Sequence, residues 1–423
     1  MSDSAGPSAP PSSGPPVVGE AVVDLDAIAG NVSSLARSAA GAEVMAVVKA
    51  DAYGHGLVPA ARAALAGGAA WLGVAQLDEA IALREAGVTA PVLAWLLGPG
   101  SDLEAGVRHR VTLGVASGWA LAAAAAAARA TGQVADVHVK IDTGLSRNGV
   151  TMGDWPATAE RAAALEADGL LAVTGLFSHL ALADAPSHPT VDRQAAAFAE
   201  AIRIGERAGL RPQLRHLANS AATLLRPDLH YDLVRPGIAV YGLSPAPELV
   251  SPAEAGLVPA MTLRALLTQA KRVPAGSGVS YGHEYTTTCD TVLGLVPLGY
   301  ADGLPRSASG RGPLLVRSAD AARRLTVAGR VCMDQVVVDL GPGAGAVAGD
   351  EVLVWGPGTR GEPTAQDWAV AAGTISYEIV TRIGTRLPRR HVGAAGAIGG
   401  LAVDSLPALD GLDGLDGLVV TGP

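Results

Sequence analysis

Residues 44–56 read VMAVVKADAYGHG, an apolar run that ends at Lys49 and passes into a glycine-containing loop. A short apolar run bounded by such a loop is typical of a buried strand. Seven more runs of this kind follow, and stretches with helical periodicity, such as 77–86 and 191–208, lie between them. The eight predicted strands are Val44–Ala50, Ala70–Ala75, Pro91–Leu97, Val111–Ala116, Val134–Asp142, Val173–Leu180, Leu214–Ala218 and Leu233–Tyr241.

Strands that alternate with helices predict βα units and a parallel sheet. Eight such units fit a closed (β/α)8 barrel, and an open doubly wound sheet is the competing arrangement. We favour the barrel because no predicted strand carries a Gly-x-Gly-x-x-Gly turn into its helix.

After about Leu257 the pattern becomes rich in short strands separated by glycine and proline turns. The predicted strands are Thr262–Val273, Thr291–Pro297, Leu325–Val331, Gln335–Leu340 and Glu351–Trp355, with one helix-like stretch at Asp367–Thr381. We therefore predict an α/β chain in which an N-terminal (β/α)8 TIM-like barrel is followed by a mainly β C-terminal domain. The predicted units are a disordered tail at 1–16, a barrel at 17–256 whose first strand is free to join the β domain, a β-rich domain at 257–400, and a low-complexity tail at 401–423.

Composition narrows the class of protein. The 423 residues carry a formal net charge of −9, which argues against a nucleic-acid partner. No apolar run is long enough to cross a bilayer, and the first 16 residues lack the apolar segment of a secretory signal. Two cysteines cannot form a disulfide framework and are typical of a reducing compartment, so we expect a soluble cytoplasmic protein.

Reactive side chains lie at or just past the ends of the predicted barrel strands, where barrels place their active sites, and one of them, Arg235, falls inside the eighth strand. They are Lys49, Lys140, Arg147, His179, Asn219, Ser220 and Arg235. Lys49 is one of three lysines among 31 basic residues. Partial burial at a strand end lowers the pKa of an amine, and a neutral amine can form a Schiff base with an aldehyde. The alternative is a structural lysine whose stem packs while its charge reaches water; the loop at 53–56, where backbone could approach an anion, favours the functional interpretation.

Residues Ala46–Gly56 closely resemble the lysine motif of the alanine racemases, a pyridoxal-phosphate-dependent family of fold type III. The resemblance continues, in the family's order, through Lys140–Gly149, Gly175–Asp184, His216–Ala222, Val234–Leu243, Val279–Thr286, Pro297–Gly303, Gly329–Gln335 and Thr374–Glu378. It covers nearly everything between the two tails. The family's barrel and β domain agree with the organisation predicted above.

The resemblance implies a set of residues that hold pyridoxal 5'-phosphate. Lys49 forms the Schiff base with the cofactor, Arg235 faces its pyridine nitrogen, and His179 supports it. The cofactor-binding residues also include Asn219 and Arg147, and the phosphate is held by Tyr53, Ser220, Tyr377 and the backbone amides of Gly237 and Ile238. Because an arginine does not give up a proton, the ring nitrogen stays largely unprotonated, which limits side reactions such as transamination.

The resemblance also implies interconversion of L-alanine and D-alanine by two bases on opposite faces of the cofactor-bound amino acid. Tyr281 takes the α-proton of the L-enantiomer, and Lys49 takes that of the D-enantiomer. A free tyrosine has a pKa near 10, so its environment must perturb it. Considered without its motif, Tyr281 is typical of a strand aromatic that packs on its sheet.

By the same resemblance the protein is a homodimer in which the second domain of one subunit completes the site of the other. Tyr281 and Met333 come from the partner, Arg147 and Met333 bind the substrate carboxylate, and Tyr300 narrows the entrance. Lys140 matches a lysine that is often carbamylated. The expected product is D-alanine for peptidoglycan.

No metal is expected, because His138, His188 and His230 have no ligand spacing. Three alternatives stay open: a broad-specificity or serine racemase on the same scaffold, a non-catalytic pyridoxal-phosphate-binding protein, and a decarboxylase of the same barrel type. The second lacks the β domain and the tyrosine, and the third generally has an acidic residue where this chain has Arg235. Small departures from the family at Asp51, Pro236 and 283–284 leave substrate preference open.

Overall fold

The computed structural model describes residues 18–319 and 321–395. The two predicted tails, 1–16 and 401–423, lie outside the described residues. The strands are β1 (Gly19–Asp24), β2 (Glu43–Val47), β3 (Trp71–Val74), β4 (Val92–Ala94), β5 (Thr112–Val115), β6 (Ala135–Asp142), β7 (Val150–Thr151), β8 (Leu171–Phe177), β9 (Leu214–His216), β10 (Leu233–Val234), β11 (Met261–Leu266), β12 (Gln269–Val273), β13 (Gly278–Val279), β14 (Tyr285–Thr286), β15 (Thr291–Val296), β16 (Pro313–Arg317), β17 (Ala322–Thr326), β18 (Val336–Gly341), β19 (Glu351–Trp355) and β20 (Arg389–Val392).

Helices connect the strands of the first half and are sparse in the second. They are α1 (Leu25–Ser38), α2 (Lys49–Gly54), α3 (Leu57–Ala66), α4 (Leu77–Glu85), α5 (Leu103–Arg108), α6 (Gly118–Thr131), α7 (Trp155–Ala167), α8 (Pro189–Arg207), α9 (Ser220–Leu225), α10 (Ala365–Ala372) and α11 (Ser376–Thr381). No helix within the two described ranges is long and apolar enough to span a membrane.

Eight parallel strands form a nearly closed barrel in the order β10-β2-β3-β4-β5-β6-β8-β9. Between β9 and β10, where no ladder forms, a single parallel bridge joins Asn219 to Arg235. The predicted (β/α)8 barrel is confirmed, because each of the eight predicted runs contains or overlaps one of these strands. Parallel strands need helical crossovers, so the helices cover the outside and bury the strands on both faces.

Glycines on neighbouring strands make room for one large side chain inside the barrel. A Cβ on Gly73 would lie 2.7 Å from the Trp95 ring, and a Cβ on Gly114 would lie 2.6 Å from Trp95 Cα. Trp95 follows β4 directly and reaches the cavity described below. Gly73 of β3 and Gly114 of β5 therefore leave the space that allows Trp95 to line the cavity.

The second domain is mainly β, as predicted. A six-stranded sheet runs β17-β16-β19-β11-β1-β20, beside a three-stranded sheet β12-β15-β18 and the short hairpin β13–β14. Strand β1 is antiparallel to β11 and parallel to β20. The first described strand is therefore an inner strand of the second domain's sheet.

Several predicted elements differ in extent from those observed. The run 233–241 ends as a strand at Val234, because Pro236 has no N–H for a ladder. The run 262–273 is two strands in different sheets, β11 and β12. The helix-like stretch 367–381 breaks at Gly373, which lies at φ 71° as a left-handed cap. Strand β17 covers only the beginning of 325–331, and β16 and β20 were not predicted.

Candidate active site

A cavity of about 590 Å³ opens at the carboxyl ends of the barrel strands. Eleven of the predicted site residues line it: Lys49, Tyr53, Lys140, Arg147, His179, Asn219, Ser220, Arg235, Gly237, Ile238 and Tyr377. Seven other residues share the lining: Val47, Ala50, Trp95, Phe177, Ile375, Glu378 and Thr381. Side chains that are as much as 328 residues apart in the chain, from Lys49 to Tyr377, therefore surround one space.

Lys49 lies at the start of an unusual turn. Strand β2 ends at Val47, and the next residues, Ala50 to Tyr53, all have left-handed helical backbone angles with φ between 52° and 55°. A left-handed conformation costs a non-glycine residue about 1–2 kcal/mol, so four in succession need external support. Glu79 supplies part of it, because its Oε1 accepts the Ala50 N–H at 2.6 Å.

His55 also stabilises this turn. Its buried Nδ1 lies 3.0 Å from both Ala52 O and Tyr53 O, so Nδ1 carries the proton and donates to the two carbonyl groups. Burial lowers the pKa of His55 to about 4, which keeps the ring neutral. The His55 ring also stacks on Tyr241, with centroids 4.4 Å apart.

The second domain also contacts this turn. On β20, Arg389 Nε donates to Gly54 O at 3.2 Å, and His391 Nε2 donates to His55 O at 2.8 Å. A Cβ on Gly54 would lie 2.5 Å from Val380 O, so only glycine allows this close approach. The position of Lys49 thus depends on both domains.

The two lysines of the cavity have depressed pKa values. Burial is the largest cause for Lys49, the Arg147 guanidinium lowers its pKa further, and Glu79 opposes both effects. Burial, together with Arg235 and Arg147, lowers the pKa of Lys140 to about 8. The Lys140 Nζ and Arg235 Cζ lie 5.7 and 5.6 Å from the centroid of the Phe177 ring. A neutral amine is therefore more accessible here than on the surface.

Neutral donors gather at one end of the cavity. Ser220 Oγ accepts the Gly237 N–H at 2.8 Å, which leaves the Ser220 hydroxyl proton free to donate. A Cβ on Gly237 would lie 2.3 Å from Tyr53 Oη, so glycine brings the backbone and this hydroxyl together. Burial raises the pKa of Tyr53 well above its ordinary value, and burial with nearby Asp184 raises that of Tyr377 to about 12. Both phenols stay protonated and can donate.

Arg235 is buried and forms no salt bridge within the described part of the chain. Its Nη1 donates to His216 Nδ1 at 3.0 Å, and its Nη2 donates to Ser178 O at 2.6 Å. Burial lowers the pKa of Arg235 to about 9, so the group is cationic at neutral pH. The histidine that contacts Arg235 is His216. His179, expected among the cofactor-binding residues, lines the cavity.

The contact with Arg235 fixes two histidine tautomers. Because a guanidinium only donates, His216 Nδ1 accepts and the His216 proton is on Nε2. That proton is donated to His138 Nδ1 at 2.9 Å. Burial holds the pKa of both rings far below the ordinary value, to about 3 for His138. Both rings therefore stay neutral behind Arg235.

The loop that carries Arg147 folds back on strand β6. Asp142 Oδ1 accepts the N–H groups of Gly144 and Ser146 at 2.9 and 3.1 Å. Strand β7 then pairs with the end of β6, and a Cβ on Gly149 would lie 2.6 Å from Asp142 N. Asp142 thus stabilises the turn after β6 through its carboxylate.

Three predicted site residues do not line this cavity. Tyr281, Tyr300 and Met333 belong to the second domain and expose 71%, 39% and 53% of their surface. The same chain does not bring Tyr281 into the cavity that Lys49 lines.

Sequence reasoning missed several cavity residues that other signals could have indicated. Trp95 lies near the end of the predicted barrel strand 91–97, a position similar to that which selected Lys49. Ile375, Glu378 and Thr381 accompany Tyr377 on or beside helix α11, where Thr381 lies four residues after Tyr377, a spacing that brings helical side chains together. Phe177 lies inside the predicted strand 173–180 and was interpreted only as structure.

The fold and this site define a barrel enzyme with a reactive strand-end amine and an appended β domain. The family model "Alanine racemase, N-terminal domain" matches residues 23–245, and "Alanine racemase, C-terminal domain" matches residues 260–391. The chain belongs to the alanine racemase family, whose members are isomerases.

Individual relatives agree along most of the chain. An alanine racemase of Frankia casuarinae is 59% identical over 372 residues, which are 88% of this chain and 96% of the relative. The crystal structure of alanine racemase from D-cycloserine-producing Streptomyces lavendulae is 52% identical, with a TM-score of 0.87 and coverage of 90% of this chain and 98% of that one. A Bacillus anthracis alanine racemase structure with bound L-Ala-P is 34% identical, with a TM-score of 0.81 and coverage of 89% and 96%.

Proposed function

We propose that this protein interconverts L-alanine and D-alanine with pyridoxal 5'-phosphate, and that Lys49 and Tyr281 act as the two bases. The observation that carries the proposal is the amine of Lys49, which has a lowered pKa and lies in a cavity lined with cations and neutral donors. The bound L-Ala-P in the Bacillus anthracis relative supports an alanine-like substrate for this chain as well.

The donor set fits pyridoxal phosphate. The Ser220 hydroxyl has a proton to donate, and Tyr53 and Tyr377 are held protonated, so three hydroxyls can bind the phosphate beside the backbone of Gly237 and Ile238. Preorganised neutral donors suit a phosphate without a dedicated cation. Asn219 supports this end, because its Oδ1 accepts the Ala222 N–H at 3.1 Å and begins helix α9.

Residues of this chain would control the chemistry at the ring. When bound, pyridoxal phosphate supplies a conjugated ring that accepts the electron pair left on the α-carbon. Arg235 can only donate toward the ring nitrogen and keeps its own proton. His179 lines the same cavity, and burial holds its pKa well below the ordinary value, so its ring is neutral. Arg235 is buried, whereas His179 is partly exposed to the cavity.

Racemisation requires proton exchange on both faces of the α-carbon. Lys49 holds the cofactor covalently at first and, once free, holds or returns a proton on one face. We assign the other face to Tyr281 of a second subunit, because Tyr281 is exposed and does not line the cavity of its own chain. The protein is accordingly proposed to be a homodimer.

The remaining residues act on the substrate. Arg147 and the partner subunit's Met333 would bind the carboxylate, and the partner subunit's Tyr300 would narrow the entrance. With a pKa of about 8, Lys140 has a substantial neutral fraction near neutral pH, and only a neutral amine reacts with carbon dioxide. We therefore propose that Lys140 is carbamylated and that its negative charge then supports Arg147.

The proposed biological role is the supply of D-alanine for peptidoglycan in the cytoplasm. The domain assignment follows: a pyridoxal-phosphate-binding barrel at 17–256 and a second domain at 257–400, with β1 contributed to the second domain's sheet.

The test is to incubate the purified protein and pyridoxal phosphate with L-alanine in deuterated water. We expect D-alanine to appear with deuterium at the α-carbon, because one base removes the α-proton and the second base delivers a solvent-derived deuteron to the opposite face. L-serine in a parallel reaction measures how strongly the enzyme prefers alanine. An absence of both D-alanine and α-deuterium would contradict the proposed reaction and favour a cofactor-binding protein.

A further inference from the structure

Ser280, the residue before the proposed base Tyr281, has a backbone conformation that serine rarely adopts. Its φ is 61° and its ψ is −172°, a region that is essentially confined to glycine. Holding a residue there costs of the order of 1–3 kcal/mol, so the surrounding structure must supply compensating contacts. Those contacts come from the loop that contains Met333.

The Ser280 hydroxyl connects the two loops. Its Oγ donates to Arg330 O at 3.0 Å and lies 3.3 Å from Cys332 Sγ. Since the single hydroxyl proton of Ser280 is donated to Arg330 O, Ser280 Oγ can only accept at its contact with Cys332, whose Sγ also lies 3.6 Å from Arg330 O. A second link joins the same segments, because Arg330 Nε donates to Glu284 Oε1 at 2.7 Å. Ser280 and Glu284, which lie before and after Tyr281 in the sequence, therefore both contact residues 330–332.

The loop of Tyr300 is fastened to the same segment. The Tyr300 N–H donates to Cys332 O at 3.0 Å, and the Ala301 N–H donates to Met333 O at 2.9 Å. A Cβ on Gly299 would lie 2.2 Å from Met333 O, so this contact is as close as glycine allows. Residues 332–333 thus form a common support for Tyr281, Tyr300 and Met333.

Arg386 also connects these loops, through ion pairs with two aspartates. Arg386 Nη1 pairs with Asp334 at 2.7 Å, and its Nε lies 3.4 Å from Asp302 Oδ1. Asp302 is buried and accepts the Gly299 N–H at 2.9 Å. Arg386 therefore joins the segment after Met333 to the segment after Tyr300.

We propose that Ser280 is a positioning residue that holds Tyr281, Tyr300 and Met333 as one preformed surface. These three exposed side chains are called the second-domain surface. Their arrangement would be fixed before the subunits associate, so they would contact the partner's barrel without a change of conformation. The proposal rests on the proposed function, because it assigns Ser280 the task of placing the base that works opposite Lys49.

The experiment compares Ser280→Ala with Ser277→Ala and Tyr281→Phe. Ser277 is a matched control, since its Oγ donates to Pro274 O in the same hairpin and contacts no residue of the second-domain surface. Two rates are measured in the loaded enzyme with α-deuterated D-alanine: conversion to L-alanine, and loss of α-deuterium with retention of configuration. The second rate needs only Lys49, whereas the first needs both bases.

We expect Ser280→Ala to lower racemisation ten- to a hundredfold, since a displacement of about 1 Å can cost a hundredfold in rate. Loss of deuterium with retention should stay within about twofold, and Ser277→Ala should match the wild type. Ser280→Gly, which removes the hydroxyl but accepts the backbone conformation, should recover part of the racemisation rate. Equal losses of both rates in Ser280→Ala, or no loss of either, would overturn the proposal.

Backbone hydrogen exchange supplies a readout that does not depend on activity. Ser280→Ala should exchange faster in segments 279–286, 298–304 and 329–335 and remain unchanged in segment 43–57. Faster exchange confined to 279–286 would contradict a shared support. If Tyr281→Phe racemises like the wild type, the two-base assignment fails instead, whatever Ser280→Ala does.

Discussion

At the scale of single residues, the reactivity of the Lys49 amine depends on the charged groups around it. Burial and the nearby Arg147 lower its pKa, whereas Glu79 raises it. The Glu79 carboxylate is occupied with backbone groups, because it also accepts the N–H groups of Ala75 and Gln76 at 3.0 Å. Glu79 therefore supports the turn at Lys49 and leaves the amine available for an aldehyde.

Replacing Lys49 with alanine should abolish activity without unfolding the protein. We expect racemisation to fall by roughly a thousandfold or more, because both the covalent attachment and one base are lost. Lys271→Ala is the matched control, since Lys271 is an exposed lysine on β12. The measurements are D-alanine production and thermal unfolding. Wild-type racemisation by Lys49→Ala would show that the cofactor assignment is wrong.

At the scale of secondary structure, glycine usually destabilises a helix, but it should not destabilise the left-handed turn at Ala50–Tyr53. Ala50 is exposed and has φ 54°, a conformation that glycine adopts at no steric cost. We expect Ala50→Gly to leave the free energy of unfolding unchanged or to raise it by up to about 1 kcal/mol. Denaturant titration of the apoenzyme measures the change.

The control for that experiment is Ala126→Gly, at an exposed position in the right-handed helix α6. There glycine should lower the free energy of unfolding by about 1 kcal/mol. If both variants lose the same stability, the left-handed turn does not persist in solution.

The sequence was sufficient to predict the barrel and most of the cavity. Periodicity marks each strand, and the rule that barrel sites gather at carboxyl ends of strands selects Lys49, Arg147, His179 and Arg235. The turn after Lys49 was not predictable in this way, because none of its residues 50–53 is a glycine. Its conformation depends on partners distant in the sequence, Glu79 on helix α4 of the barrel and Arg389 and His391 on β20, and the contacts with β20 exist only after the two domains have packed.

Tertiary contact also explains what was missed around Arg235. The sequence pattern assigns His216 no role, and only the three-dimensional structure shows its Nδ1 accepting from Arg235. The proposed roles of Tyr281, Tyr300 and Met333 come from resemblance and remain predictions. All three side chains are exposed in the single chain.

At the scale of the whole molecule, the proposed dimer can be tested by mixing two inactive variants. Lys49→Ala keeps its Tyr281, and Tyr281→Phe keeps its Lys49. In a mixed dimer one site combines both intact residues. Random reassortment makes half of the dimers mixed, with one good site of two, so we expect about a quarter of wild-type racemisation.

Subunit exchange is promoted by mild denaturant and followed by assay of D-alanine. Each variant treated alone is the control and should stay inactive. If the mixture also stays inactive although mixed dimers have formed, Lys49 and Tyr281 must serve the same site from one chain.

Buried neutral histidines should make the folded protein sensitive to acid. The folded pKa of His55 is about 4 and that of His138 about 3, both below the ordinary value of 6.5 in an unfolded chain. Their contribution to stability is complete above pH 6.5 and is lost as the pH falls through 6.5 toward those folded values. Between pH 6.5 and 5 each should cost about 1.5 kcal/mol of unfolding free energy.

Urea unfolding at fixed protein concentration, at pH 7, 6 and 5, measures this loss. An unfolding free energy that stays constant between pH 7 and 5 would show that these histidines are not buried in solution.

Strand β1 has a consequence for the synthesis of the chain. It is finished at Asp24, but its antiparallel neighbour begins only at Met261 and its parallel neighbour only at Arg389. A ribosome adding roughly 5–20 residues per second needs on the order of tens of seconds to bridge that interval. The first strand of the described residues is thus paired late, and a chain released before Arg389 leaves one edge of β1 open to another molecule.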